Sequence, residues 1–162
     1  MKVILVRHGD AEADIPEGME DDARVLTQRA RLSLPAHFAQ LTAHLGTPDI
    51  IFTSPLVRAV QTATLLAVAL RYEGPLKTHR HLYPDSAVGA VEAILEGHSA
   101  GTLILVGHQP TIGATAAHLL GLPSFPRPVS PGTAIGIERP DEGLDPAKLL
   151  FFGAPGSPVL VE

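Results

Sequence analysis

Apolar residues gather in three compact runs: KVILVR at 2–7, DIIFTS at 49–54 and TLILVG at 102–107. None alternates apolar with polar, as a half-solvated strand does. Each is nearly continuous, the pattern of a strand buried on both faces of a parallel sheet. Helical spacing follows each run. In PLVRAVQTATLLAVALR (55–71) the apolar positions Val57, Val60, Ala63, Ala67 and Leu70 recur with helical period. Ser54 suits the N-cap of that helix and Pro55 its first position. HQPTIGATAAHLLG (108–121) places Pro110 at a start and Gly121 at a stop. A third helix is predicted over much of 26–46, with a kink or break at Pro35. A shorter one fits 86–98, and the tail offers two weaker strands, AIGIER (134–139) and KLLFFG (148–153).

Strands alternating with helices predict right-handed crossovers and an α/β fold. The expected architecture is a three-layer α/β/α arrangement around a mostly parallel central sheet. A chain of 162 residues is expected to form a single domain, 1–162.

Composition narrows the picture. Hydrophobic residues make up 45% and aromatics only 4%, so aliphatic side chains must fill the core. Cysteine is absent, which excludes disulfides and thiolate metal sites and fits a cytoplasmic location. The first apolar run is too short for a signal-peptide core, and the most apolar later segment (62–70) is far short of the ~20 residues that span a bilayer. The net charge of −5 gives no global field for nucleic acid or an anionic membrane, so neither is expected as a partner. Any anion site has to be local.

In open α/β sheets ligands bind beyond the carboxyl ends of the strands. The first run ends in Arg7, His8 and Gly9; the second in Ser54, with Arg58 one turn into the next helix; the third in Gly107, His108 and Gln109. Two arginines and two histidines at successive strand ends read as a phosphate pocket. Guanidinium forks match phosphate oxygens bidentately, and helix N-termini add backbone donors. Glycine at position 9 lets backbone approach an anion closely. A neutral imidazole can carry phosphate covalently, and flanking arginines disfavour its protonation. The other histidine, if protonated, can stabilise charge on the transferring group. Taken singly, each of these residues also reads as a polar cap or a turn.

The three segments together resemble the motifs of the histidine phosphatase superfamily, the phosphoglycerate mutase-like proteins. LVRHGDAE (5–12) is similar to its RHG signature, TSPLVRAVQTA (53–63) to its second motif and LILVGHQPTIG (103–113) to its third. Length and the stretch ARVLTQRAR (23–31) resemble the small SixA-type branch, the protein phosphohistidine phosphatases. The resemblance implies a phosphorylated nucleophile at His8, with Arg7, Arg58 and His108 binding the phosphoryl group; Gly9 and Gln109 flank them as further phosphate contacts. One position departs from the pattern: Ala30 stands where a glycine often follows the LT pair. Larger members carry a proton donor, usually a glutamate, ahead of the third motif. The matching stretch here is HLYPDS (81–86), in which Asp85 is the one carboxylate and hence the candidate acid. Short connections leave little room for a lid, which suggests an open site.

No metal or cofactor is expected. HRH at 79–81 would set His79 and His81 on one side of an extended strand with no third ligand. His37 and His44 fall on one helix face. The acidic run 17–24 reads as a solvated loop or a site for a basic partner, and the proline-rich 121–132 as a loop that can border the site. The expected substrate is a phosphorylated protein carrying phosphohistidine, or a small phosphate ester, with inorganic phosphate as product. The alternatives are a small-molecule phosphomonoesterase or mutase, and a phosphate-binding module without catalysis.

Overall fold

The computed structural model describes residues 1–99, 101–141 and 145–162. The three apolar runs become β1 (Lys2–Arg7), β2 (Ile50–Thr53) and β4 (Thr102–Gly107). The tail supplies β5 (Ala134–Glu138) and β6 (Lys148–Gly153). Two short strands carry no signal in the sequence: β3 (Leu76–Thr78) and β7 (Leu160–Val161). Both lie at sheet edges, where pairing on one side alone demands no apolar run. The seven strands form one sheet in the order β3-β2-β4-β1-β5-β6-β7. Pairing is parallel from β3 through β1 and antiparallel from β1 onward to β7. The sheet is therefore parallel at its centre, as the continuous apolar runs imply.

Helices cover both faces. α1 (Gln28–Leu45) and α2 (Val57–Ala69) pack on one face, against Ile4, Val6, Ile51, Ile104 and Val106. α3 (Val88–Glu96) and α4 (Thr111–Leu119) pack on the other, against Val3, Leu5, Leu103 and Leu105. Alternate residues of each central strand thus enter opposite cores, so every position has to be apolar. Each fully buried Leu, Ile or Val contributes ~1.5–3 kcal/mol of burial free energy.

Three local expectations need correction. α1 runs through Pro35 without a break. Pro35 and Arg31, whose carbonyl loses its helical partner to the proline, lie on the exposed side, while Leu34, Phe38, Leu41 and Leu45 hold the helix to the sheet. α2 is capped at Leu56, not Ser54, and its buried residues are Arg58, Ala59, Thr62, Ala63 and Leu66. Of the predicted stripe only Ala63 is fully buried, and Val57 is exposed. A helix apolar on nearly every side does not reveal which face its sheet will select. Finally, residues Arg80–Leu82 form a single 3-10 turn rather than a strand, and the His79 ring accepts the His81 amide at 3.0 Å. Among the described residues no helix is long and apolar enough to cross a membrane.

Candidate active site

Register aligns the strand ends. Arg7 stands opposite Gly107, and Thr53 opposite Val106, so the residues that follow emerge side by side at one edge of the sheet. The rings of His8 and His108 are 5.0 Å apart between centroids and tilted by 57°.

His8 is fixed through both backbone and ring. Its amide donates to the Gly107 carbonyl at 3.0 Å. Its Nδ1 lies 2.6 Å from the Gly9 carbonyl. A carbonyl only accepts, so in the neutral ring Nδ1 carries the proton and Nε2 keeps its lone pair. Burial is the main cause that lowers the His8 pKa from 6.5 to about 4; the Gly9 hydrogen bond opposes it, and the charges of Arg58, Arg7 and Arg24 add to it. The sequence assigned this effect to the arginines; the fold places desolvation ahead of them.

Gly9 has a role other than the one expected. Its amide donates to Thr62 Oγ1 at 2.9 Å, and that hydroxyl donates to the Arg58 carbonyl at 2.8 Å. The amide is therefore committed to Thr62 in the free protein. A Cβ at this position would come within 2.6 Å of Leu34 Cδ1 and 3.2 Å of Leu26 Cδ2, so glycine allows the loop to lie on α1. Thr62 links the loop that carries His8 to the helix that carries Arg58.

Arg7 donates through Nη1 to the Val129 carbonyl at 2.8 Å, which brings the proline-rich segment to the rim of the site. Arg58, only 5% exposed, donates through Nη1 to the Asp21 carbonyl at 3.1 Å and through Nη2 to Asp21 Oδ2 at 3.3 Å. His108, 3% exposed, holds Ser54 Oγ at 2.8 Å through Nε2. Burial chiefly, then the charges of His8, Arg58 and Arg7, lower its pKa to about 3. That shift disfavours the imidazolium form in the free protein, so the protonated role considered from sequence would need a bound anion to favour it. Among the described residues, four buried side-chain polar atoms have no hydrogen-bond partner: Arg7 Nε, Arg58 Nε, His108 Nδ1 and Thr115 Oγ1. Three of the four belong to this cluster.

Two predicted residues stand apart from it. Gln109 turns back on α4, its Oε1 accepting the Gly113 amide at 2.7 Å. Asp85 is exposed in a turn with φ of 63°. Its stretch is tied to the start of α4, since Thr111 Oγ1 donates to the Ser86 carbonyl at 2.7 Å. Sequence reasoning missed Thr62 and the ring partner Ser54, which it had assigned to capping. It also missed Asp21 and Arg24, which approach Arg58 from a loop with no apolar period to announce it. His37 is satisfied by the Gly132 carbonyl at 2.9 Å. Among the described residues no group of three or more His, Asp or Glu side chains is arranged to hold a metal ion.

Paired histidines and arginines thus lie together at the carboxyl edge of the sheet in a three-layer α/β protein. The chain belongs to the histidine phosphatase superfamily, whose branch 1 model matches residues 3–83. An uncharacterized protein of Picosynechococcus sp. is 40% identical over 122 residues, covering 72% of this chain and 71% of that protein. Among solved structures the fold is shared with the protein histidine phosphatase SixA complexed with tungstate: TM-score 0.79, 23% identity, covering 96% of this chain and 97% of that one. It is shared as well with a mutant phosphoserine phosphatase from Entamoeba histolytica in complex with phosphoserine, at TM-score 0.69 and 15% identity, covering 96% and 98%.

Proposed function

We propose that this protein is a phosphatase that transfers a phosphoryl group to His8 and then to water, and that its substrate is phosphohistidine on a protein partner. The observation that supports this most is the gathering of Arg7, Arg58 and His108 beside His8, whose Nε2 keeps its lone pair: the two imidazole rings are 5.0 Å apart and both arginine charges act on His8. Two guanidinium groups beside two imidazoles supply the charge-assisted donors that a bound phosphoryl group calls for. The fold shared with a SixA bound to tungstate, a tetrahedral oxyanion, points the same way.

In the first step the Nε2 lone pair of His8 attacks phosphorus. The Nε2–P bond forms as the bond to the leaving group breaks, and the leaving group takes its proton from solvent. Water then attacks phosphorus, gives up a proton to solvent, and releases phosphate and neutral His8. Arg7, Arg58 and His108 stabilise the charge on the equatorial oxygens. The arginine pair supplies this charge without a metal.

Substrate choice rests on Asp85. It is exposed and without a hydrogen bond to any of the four residues, a poor arrangement for protonating an alkoxide. An imidazole leaving group needs less help. The test is a side-by-side panel of phosphohistidine protein, phosphoserine, sugar phosphates and glycerate phosphates. Turnover of phosphohistidine with an acid-labile, alkali-stable label on His8 is expected. Asp85→Asn should leave that turnover nearly unchanged. Efficient hydrolysis of alkyl phosphates with phosphohistidine untouched would favour a metabolite phosphatase. A label on His108, or a fully active His8→Ala protein, would refute the nucleophile.

A further inference from the structure

Arg58 is not idle in the free protein, and what occupies it is part of the chain. Asp21 meets it twice, through its backbone carbonyl and its carboxylate. The other carboxylate oxygen receives Arg24 Nε at 2.7 Å. One carboxylate therefore bridges two guanidinium groups beside His8. Arg24 lies close enough that its charge helps to lower the His8 pKa. Its Nη1 is tethered to the Glu12 carbonyl at 2.9 Å, which holds the guanidinium in place independently of Asp21.

The two ends of this contact differ in freedom. The Arg58 side chain is 6% exposed, whereas that of Asp21 is 58% exposed. Asp21 sits in a 3-10 turn of three residues whose preceding residue gives no side-chain cap. Arg58 is fixed in α2, and its chain is tied to Gly9 through Thr62. A carboxylate in water on a short uncapped turn moves at small cost, while a guanidinium buried under a sheet edge does not.

We infer that Asp21 is an internal counterion standing where the substrate's phosphoryl group binds, and that its displacement exposes Arg24 as a third arginine of the phosphate site. This rests on the reading of the cluster as a phosphoryl pocket. Phosphate takes over Oδ2's place on Arg58 and Oδ1's place on Arg24, and the carboxylate swings to solvent. Affinity for a phosphoryl group is thereby reduced by the fraction of molecules in which Asp21 holds the pair. The bare cation pair is also shielded from other anions until a better one arrives.

The experiment is calorimetric binding of inorganic phosphate to the full chain at fixed ionic strength, which needs no turnover. Asp21→Asn keeps the side chain's size and removes its charge. It should tighten the phosphate dissociation constant roughly two- to fivefold, the range set by a partly exposed ion pair. Arg24→Gln introduced on top of Asp21→Asn should weaken binding about tenfold, as expected for loss of a charge-assisted hydrogen bond. Asp21 is exposed and Arg24 is partly buried, with side chains 58% and 24% exposed, and circular dichroism of each variant checks that the fold persists. Equal phosphate affinity in wild type and Asp21→Asn overturns the inference while leaving the pocket assignment intact. A neutral Arg24→Gln in the Asp21→Asn background also overturns it, because Arg24 would then only orient Asp21. Absence of phosphate binding to both wild type and Asp21→Asn overturns the inference and the pocket assignment together.

Discussion

Acid is the perturbation that most directly probes how the fold prepares His8. An exposed histidine titrates near 6.5, and burial under the sheet edge brings His8 to about 4. That displacement corresponds to ~3 kcal/mol against the imidazolium form. Desolvation is the leading cause, and the nearby arginines add to it. Two measurable consequences follow. The nucleophile stays unprotonated well below neutrality, so the His8 ring, followed by heteronuclear NMR in the free protein, should show a single titration near pH 4. Its Nδ1 should remain the protonated nitrogen throughout the neutral range, because the Gly9 carbonyl accepts from it. Stability should respond as well. Between about 4 and 6.5 the unfolded chain binds a proton that the folded chain refuses, so stability that is complete above pH 6.5 is lost as the pH falls toward 4. His108, lowered to about 3, adds a loss of the same sign. Denaturant unfolding at pH 7 and pH 4.5 should differ by several kcal/mol, and His8→Phe should flatten the slope. A His8 ring that titrates between pH 6 and 7 would refute the argument, since the imidazole would then be hydrated and not buried. Saturating phosphate should move both rings upward, because a bound dianion favours imidazolium.

Three further outcomes are expected. Arg58→Ala should lower kcat on phosphohistidine protein by ~10²–10³, the effect of losing one positioned donor, and steady-state kinetics read it directly. Ser54→Ala strips buried His108 of its ring partner and should destabilise the fold by ~1–3 kcal/mol, a drop of ~2–12 °C in thermal midpoint by calorimetry. Thr62→Val keeps the shape but cuts the link between Gly9 and Arg58; kcat should fall while Thr62→Ser restores it, which separates a positioning hydroxyl from a packing methyl.

Much of this protein follows from local pattern. The three continuous apolar runs settle a sheet covered on both faces, because a strand with alternate residues in two cores has no polar position to spare. Chain order then places Arg7, His8, Arg58 and His108 just beyond strand ends, and a parallel arrangement brings such ends together at one edge. Those four residues were readable for that reason.

What the sequence left open depends on contacts between segments distant in the chain. The buried face of α2 was not fixed by periodicity, since valine and alanine occur all round it; packing on the sheet selected Arg58, Ala59, Thr62, Ala63 and Leu66. Ser54 was indistinguishable from a helix cap until His108 came to lie 2.8 Å from it. A side chain at position 9 would crowd Leu34, which approaches it from another helix. The bridge from Asp21 to Arg58 spans 37 residues and joins a polar loop to a helix. Desolvation of the two histidines belongs to no single segment. Hydrophobic period is a property of one element and is written along the chain; burial depth, ring partners and counterions are set by several elements at once and exist only after they have packed.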